Sequence, residues 1–557
     1  MHTENVFRGG ETVVSDGGRA ILFGSSRGQR GIALDEIPRG RPLVFNQALV
    51  FARAIGRCRA LALRSLGSAA AVAVIGAAVW LAAAVAPAPA ADGQLDKSPA
   101  KVKAAEVHRP TPLPDRIILT FAGDPATTMA VTWRTSTDVT TAFAEIVPAG
   151  PGPNFPKGAQ RVAARTEALA TDLNKAHFHS VQFEGLQPAT KYAYRVGDGE
   201  NFSEWFQFTT AGDRPEPFEF LYFGDAQNDI RTHWSRVVRE AFRDAPKARF
   251  AIHAGDLVNR GDSDAAWGEW FQAGGWLNAM IPSVPVPGNH DQAKNSFGLS
   301  GLTPHWRAQF TLPEHGPSGV EETCYTLVYQ GVRIIALDSN RQIEAQTRWL
   351  TDVLQANKAH WVICTFHHPI FSTAKARDNA ALRAAWKPAF DRFRVDLVLQ
   401  GHDHTYGRTG LDTPPAKTAG ATATTQSVGN SGAAAGFEAT DSPSTRETPQ
   451  AAESTPSAGL ANRTAAATGT VYVVSVSGPK MYSLQPEPML KRTAENTQLY
   501  QIIRVEGDTL RFEARTAVGE LYDAFLLRKR PGEVNELVEQ GPAAALRPRT
   551  VSAAGSQ

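Results

Sequence analysis

The stretch Ile252-His253-Ala254-Gly255-Asp256-Leu257-Val258-Asn259 decides the fold of this chain. An apolar run that begins at Phe250 leads into a Gly-Asp step and then into a loop. This pattern predicts a buried strand with an acidic residue at its carboxyl end, where open α/β sheets bind ligands. An Asp in this position is commonly a helix cap or a turn residue, so the stretch alone does not establish a site.

Four other apolar runs end in a similar way. Each finishes in a turn that carries Asp, Asn or His, and these turns are Gly224-Asp225, Gly288-Asn289-His290-Asp291, His367-His368-Pro369 and Gly401-His402-Asp403-His404. If the runs are neighbouring strands, their ends bring carboxylates, an amide oxygen and imidazoles together. That ligand set suits two metal ions that share one carboxylate. We expect Asp256 to be the bridge, because an aspartate can place one oxygen on each ion.

The region that carries these motifs, residues 217–530, alternates strand and helix patterns. Helical spacing of apolar residues follows Trp234 and precedes Leu354, and a hairpin is predicted around Gln330-Gly331. We therefore expect a layered α/β sandwich, with sheets flanked by helices and the site at the strand ends.

An all-β domain is predicted before it, over residues 111–212. Short stretches alternate apolar and polar residues, and Gly185 to Val196 is similar to the corner of a fibronectin type III domain, in which a Tyr leads a late strand. Trp133 is the expected buried aromatic partner. We interpret this domain as structural.

Taken together, the ordered motifs and the preceding all-β domain resemble the calcineurin-like metallophosphoesterase superfamily, most closely its purple acid phosphatase-like branch. The resemblance covers roughly residues 107–530. It implies an acid phosphatase-like phosphomonoesterase that uses a metal-activated hydroxide. A phosphodiesterase or nucleotide hydrolase on the same core is the alternative. A non-catalytic metal-binding surface or adhesion protein is the alternative from a different class.

The resemblance also implies a role for each motif residue and two metal ions per chain, drawn from Fe, Mn and Zn. Its metal ligands are Asp225 and His404 on one ion, Asn289, His367 and His402 on the other, and Asp256 between them. His290 would stabilise the phosphate and protonate the leaving oxygen, Asp291 would orient the His290 ring, and His368 would be a second cleft residue.

Two positions depart from the family pattern. Purple acid phosphatases have a Tyr three residues after the bridging Asp, where this chain has Asn259. Other metallophosphoesterases have a His two residues after the first Asp, where this chain has Gln227. Either residue can supply a neutral oxygen to the first metal, or water can fill the place. The identity of that metal therefore stays open, and no tyrosinate-to-iron colour is expected from the usual position.

Length and composition limit the remaining possibilities. A chain of 557 residues with 42% apolar residues is long enough for two domains with tails. Its net charge of +2 gives no reason to expect nucleic acid binding, and three cysteines exclude a disulfide scaffold. The expected partner is a small phosphoester substrate, and the sequence does not indicate an oligomeric state.

The remaining segments bear on localisation. Residues 1–65 are predicted to be disordered or to result from a mis-assigned start, and 92–110 to be a linker. Residues 66–91 combine a basic flank, an apolar run and small residues, which predicts a secretory signal peptide or, if uncleaved, a membrane anchor. Either reading makes the protein periplasmic, secreted or cell-surface. A disordered insertion is expected at 413–468 and a flexible tail at 531–557.

Overall fold

The structure, a computed structural model, describes residues 101–294, 300–411 and 469–542. The predicted N-terminal extension, the signal-like segment and the insertion at 413–468 lie outside the described residues. Where the linker was expected, residues 104–107 form a short helix and His108 is buried. No helix in the described ranges has the length and apolar character that a membrane crossing requires.

The N-terminal domain is a sandwich of two antiparallel sheets. Its strands are β1 (Asp115–Thr120), β2 (Met129–Thr135), β3 (Phe143–Pro148), β4 (Gln160–Ala163), β5 (Arg165–Ala170), β6 (Lys175–Phe183), β7 (Lys191–Gly197) and β8 (Phe206–Thr209). Trp133 is fully buried between the sheets, and the Tyr192 hydroxyl accepts from the backbone N–H of Gln187 at 2.8 Å. The Tyr corner predicted for this domain is therefore present.

The second domain contains three further groups of strands, of which β12 and β13 form the smallest, and most of the helices. Its strands are β9 (Phe218–Phe223), β10 (Ala251–Ala254), β11 (Ser283–Val286), β12 (Gln292–Lys294), β13 (Ser300–Leu302), β14 (Tyr325–Tyr329), β15 (Val332–Ala336), β16 (Trp361–Thr365), β17 (Leu397–Gln400), β18 (Tyr406–Thr409), β19 (Val471–Val474), β20 (Leu490–Ala494), β21 (Leu499–Glu506), β22 (Thr509–Thr516), β23 (Leu521–Arg528) and β24 (Glu536–Glu539). The α-helices of the described chain are α1 (Ala104–Val107), α2 (Ser235–Asp244), α3 (Asp264–Gly274), α4 (Pro304–Gln309), α5 (Ile343–Gln355) and α6 (Ala380–Phe393).

Two sheets stack face to face, and both have parallel strands at their centre. One has the order β24-β23-β22-β21-β9-β10-β11, and the other has the order β14-β15-β16-β17-β19-β18-β20. Strands β9 to β11 are parallel to one another, as are β15, β16, β17 and β19. The predicted hairpin is formed by β14 and β15.

Alternating side chains of the second sheet explain the layers. Ile334 and Ile363 belong to the core that the two sheets share, whereas Ile335 and Val362 pack with Trp386 of α6. Successive side chains of a strand point to opposite faces of the sheet. A strand that is apolar throughout therefore packs against the other sheet on one face and against a helix on the other. The predicted layered α/β sandwich is confirmed.

The two domains share a sheet, which the sequence did not indicate. Strand β1 of the sandwich pairs in parallel with β11, with Thr120 opposite Ser283, so the first sheet continues through β1, β2, β6 and β5 to eleven strands. At its other end β24 pairs with β23. The folded domain therefore extends past residue 530, where the sequence predicted that the flexible tail begins.

Candidate metal centre

The polar turns that follow the parallel strands meet at one edge of the stacked sheets. Asp225, Asp256 and Asn289 follow β9, β10 and β11 in the first sheet. His367 follows β16, and the His402 to His404 turn follows β17 in the second sheet. Because parallel strands end at the same edge, residues distant in sequence become neighbours.

One cluster of ligand atoms is formed by Asn289, His367 and His402. The Asn289 Oδ1 atom lies 3.1 Å from His367 Nε2 and 3.0 Å from His402 Nδ1, and the two imidazole nitrogens are 3.1 Å apart. Asp256 Oδ2 lies 3.3 Å from His367 Nε2. Asp256 therefore borders this cluster with one carboxylate oxygen.

A second cluster is formed by Asp225, His404 and Gln227, again beside Asp256. Asp225 Oδ1 lies 3.5 Å from His404 Nε2. Gln227 Nε2 lies 2.8 Å from Asp256 Oδ2 and 2.9 Å from His404 Nε2. Gln227 is fully buried, and its Oε1 atom has no hydrogen-bond partner among the described residues.

These donor sets fit metal ions. An ion that holds N and O ligands at about 2.1 Å brings neighbouring ligand atoms to within about 3.0–3.4 Å of one another. The cluster of Asn289, His367 and His402 has this spacing, and the distances in the other cluster, 2.8 to 3.5 Å, lie close to it. The charges agree with that assignment. Burial alone would lower the pKa of His367, but the carboxylates of Asp256 and Asp225 outweigh it and raise the pKa to about 9. Burial raises the pKa of Asp225. Two buried carboxylates that raise the pKa of a neighbouring histidine in this way form an environment that stabilises a cation.

The ligand rings are held by backbone carbonyls. His367 Nδ1 lies 3.0 Å from the carbonyl oxygen of Ala254, and His404 Nδ1 lies 2.9 Å from that of Lys480. A carbonyl oxygen only accepts, so each Nδ1 donates to it, and Nε2 is the ring nitrogen that faces the other ligand atoms. Such second contacts fix both the tautomer and the ring direction of a metal-binding histidine.

Four of the residues at the centre also have a strained backbone. Asp225, Asp256, His402 and His404 have φ of 44°, 50°, 75° and 47°, in the left-handed region that residues with a Cβ rarely adopt. The adjacent glycines leave no room for a side chain, because a Cβ at Gly288 would collide with the Asp256 carboxylate and one at Gly401 with that of Asp225. The Gly-Asn-His-Asp and Gly-His-Asp-His motifs thus need their glycines for close approach.

His290 lies beside the centre and is half-buried. Its backbone N–H donates to Asp256 Oδ1 at 2.8 Å, and its Nδ1 lies 2.8 Å from the backbone carbonyl oxygen of Asn259. Asn259 itself is exposed. Of the two neutral residues predicted as extra metal ligands, Gln227 therefore lies among the donor atoms, whereas Asn259 takes part through its backbone carbonyl.

The predicted role of Asp291 as a residue that orients the His290 ring is wrong. Its carboxylate is buried and accepts from the backbone N–H groups of Leu257, Val258 and Gly288, at 3.3, 3.2 and 2.8 Å. Asp291 therefore fixes the loop that carries Asp256. Burial and the neighbouring Asp256 charge raise the pKa of Asp291.

His368 lies against the cluster formed by Asn289, His367 and His402. Its ring centre is 4.3 Å from that of His402, and its Nδ1 is 2.8 Å from the Ser339 hydroxyl. Burial, and next the neighbouring His367, lower the pKa of His368 to about 3, so its ring is neutral. Its place in the cleft agrees with the prediction, and its catalytic role stays a prediction.

Sequence reasoning missed several neighbours of the centre. Ser339 follows β15 and Lys480 and Tyr482 follow β19, both strands parallel to β16 and β17. The Tyr482 ring centre is 4.6 Å from that of His404. The rule of strand ends that found the ligands also applies to Ser339, whereas Lys480 and Tyr482 lie farther beyond the end of β19 and no local pattern marks them.

Comparisons with known proteins agree with this geometry. Residues 114–210 match the family model of the purple acid phosphatase N-terminal domain, and residues 218–406 match that of the calcineurin-like phosphoesterases. The chain is 25% identical to purple acid phosphatase 1 of Ipomoea batatas, over 43% of this chain and 53% of that protein. It is 27% identical to purple acid phosphatase 21 of Arabidopsis thaliana, over 42% of this chain and 54% of that protein.

A solved structure shows the same fold. Purple acid phosphatase PPD1 from yellow lupin (Lupinus luteus) seeds aligns with a TM-score of 0.57 and 14% identity over 74% of each chain. The alignments to the two curated relatives span about half the length of those proteins. Domain order, motif geometry and fold agree, and the chain belongs to the calcineurin-like phosphoesterases, in the purple acid phosphatase branch.

Proposed function

We propose that this chain is an exported phosphoesterase with two metal ions, and that its main activity is hydrolysis of phosphomonoesters. The observation that carries the proposal is the position of Asp256, whose Oδ2 atom borders both clusters of ligand atoms. A carboxylate in that position joins two ions into one centre. Metallophosphoesterase relatives named as phosphatases support the substrate class.

Each cluster would hold one ion. The first ion would take Asp225, His404 and Gln227, the second would take Asn289, His367 and His402, and Asp256 would serve both. When bound, two such ions neutralise the phosphate charge and acidify a water for attack on phosphorus.

Gln227 is the extra ligand of the first ion in this proposal. The oxygen and nitrogen of a side-chain amide occupy nearly the same volume. Turning the amide would place Oε1 where Nε2 now lies, 2.8 Å from Asp256 Oδ2 and 2.9 Å from His404 Nε2. Its oxygen is neutral, unlike the tyrosinate of purple acid phosphatases, so the ligands of this ion carry one negative charge less. That change favours a divalent ion over ferric iron.

His290 is the proposed proton donor to the leaving oxygen. It is held by the carbonyl of Asn259 through Nδ1, which leaves Nε2 as the nitrogen free to face the substrate. We expect His290→Ala to retain both metals and to lose about a hundredfold in kcat, in the usual range for a general acid. The loss should be largest for alkyl phosphates, whose leaving groups need the proton most. Metal analysis and kcat for an aryl and an alkyl phosphate check this. Loss of metal with unchanged rate per bound metal would contradict the role.

Export is proposed from the sequence of residues 66–91, whose basic flank, apolar run and small-residue end have the order of a secretory signal. Fractionation of the native host, with N-terminal sequencing of the recovered protein, tests it. A mature start near Ala90 or Ala91 is expected, and retention of the full segment would favour the membrane anchor.

The test of function is metal content and turnover on one sample. We expect two metals per chain and faster hydrolysis of an aryl phosphomonoester than of the matching diester. A sample loaded with iron should show no purple colour, because Asn259 stands where the tyrosinate would be. Diester preference would favour a phosphodiesterase. Two metals without turnover of either ester would favour a binding protein, and absence of stoichiometric metal after reconstitution with iron, manganese and zinc would overturn the proposal.

A further inference from the structure

A basic and aromatic cluster borders the metal centre on the His404 side. Tyr482 lies at the centre of this cluster, and the centre of the Tyr482 ring is 4.6 Å from that of the His404 ring. The Arg377 guanidinium lies 4.7 Å and the Lys480 ammonium 5.4 Å from the centre of the Tyr482 ring. We call these three residues the Tyr482 cluster. Cations at these distances are attracted to an aromatic face, which keeps two positive charges in place.

The Tyr482 cluster is fixed to the ligand turns by hydrogen bonds. The backbone carbonyl of Lys480 accepts from His404 Nδ1 at 2.9 Å. Arg377 Nη1 donates to the backbone carbonyl of His402 at 3.0 Å. The Arg377 guanidinium and the backbone of Lys480 are therefore held by the same turns that carry the metal ligands.

The two cations differ in their acidic partners. Arg377 lies 3.6 Å from Asp403 Oδ1 and is partly neutralised. Lys480 has no carboxylate within ion-pair distance in residues 101–294, 300–411 and 469–542. The cluster therefore retains net positive charge beside the centre, with Lys480 as its uncompensated member.

In the proposed function, the two metal ions would offset the charge of the reacting phosphate, which leaves a further cation beside them to bind another anionic group. We propose that Lys480, with Arg377 and Tyr482, binds a second anionic group carried by the leaving group of the substrate. The Tyr482 ring offers an apolar surface for the carbon skeleton between the two anions, and an ammonium binds carboxylate or phosphate as a point charge. The inference rests on the proposed phosphomonoesterase function and names its preferred substrates: phosphomonoesters with a carboxylate or a second phosphate.

The test compares esters that differ only in the second group. We would measure kcat/KM of the manganese-loaded full chain for 3-carboxyphenyl phosphate and its neutral 3-carbamoylphenyl analogue. A second arm, resorcinol bisphosphate against resorcinol monophosphate, separates phosphate from carboxylate recognition. The variant is Lys480→Gln, and the matched control is Lys375→Gln, an exposed lysine of the neighbouring loop whose backbone N–H donates to Ser483.

In the wild type we expect the charged ester to be preferred about tenfold, the size of one hydrogen bond to a charged group. The preference should fall close to one in Lys480→Gln, persist in Lys375→Gln, and shrink as ionic strength rises. The pair of esters that shows the larger preference identifies whether the subsite favours a carboxylate or a phosphate. An equal preference in wild type and Lys480→Gln would overturn the inference.

A binding measurement separates failure of the inference from failure of the proposed function. We would titrate 3-carboxyphenylphosphonate and 3-carbamoylphenylphosphonate into the metal-loaded protein by calorimetry. If no ester is turned over, tighter binding of the carboxy compound that is lost in Lys480→Gln still supports the subsite, and only the catalytic proposal fails. Equal binding of the two phosphonates overturns the subsite whether or not the protein is a phosphatase.

Discussion

Replacing Asp256 by Asn is expected to abolish phosphomonoester turnover and to weaken the binding of both metal ions. The carboxylate borders both clusters through Oδ2 and receives the backbone N–H of His290 through Oδ1, so one substitution affects both ions and the position of the proton donor. A metal centre supplies several kcal/mol of transition-state stabilisation, so kcat should fall by roughly a thousandfold or more.

Metal content by mass spectrometry and kcat on the same sample check this result. The matched control is Asp262→Asn, six residues further on, whose exposed side chain pairs with Arg260 at 3.1 Å. The control should retain both metals and full turnover. If Asp256→Asn kept two metals and more than a tenth of the wild-type rate, Asp256 would not be the bridge.

The largest loss of stability is expected from Asp264→Asn, at the start of α3. Asp264 is fully buried and pairs with Arg116 at 2.7 Å and Arg134 at 3.4 Å, two buried arginines from β1 and β2. Removing the charge leaves guanidinium groups buried without full compensation, which costs about 3–5 kcal/mol of unfolding free energy. Arg134 keeps its second bond to Asp115, at 2.6 Å, so the loss should lie towards the lower value.

Urea denaturation followed by tryptophan fluorescence measures this change, with Asp262→Asn again as the control. An exposed pair such as Arg260 and Asp262 contributes less than about 1 kcal/mol. Because Asp264 joins the sandwich to the second domain, the variant should also lose cooperativity between them. An unfolding free energy within about 1 kcal/mol of wild type would show that the buried network does not stabilise the chain.

Local sequence patterns were sufficient to predict the layered fold and the meeting of the polar turns at one edge of the sheets. Each motif follows an apolar run, and parallel strands bring their carboxyl ends to one edge, so a local pattern implied contacts between Asp225 and His404, which are far apart in the chain. The hairpin of β14 and β15 followed from the same alternation and its turn.

What the sequence did not reveal depends on contacts that leave no local pattern. The partners of Asp291 are backbone N–H groups, which occur at every position and leave no mark in the sequence. The sequence therefore wrongly indicated the His290 ring as the partner of Asp291. Tyr482 contacts His404 although the two are far apart in the chain, and the spacing of Tyr482 carries no signal of this contact. The pairing of β1 with β11 requires knowing which strand is at the edge of a sheet, and strand composition does not give that order.

The shared sheet has a consequence for how this protein can be divided. The family models recognise two modules, 114–210 and 218–406, yet β11, the strand that leads into Asn289, has β1 as its outer neighbour. A fragment that begins after the first module would present an unpaired edge of β11 to solvent, and such edges recruit strands from other molecules. Each stretch that a family model matches is thus smaller than the unit that folds, and a chimera that replaces the sandwich must preserve its contact with β11.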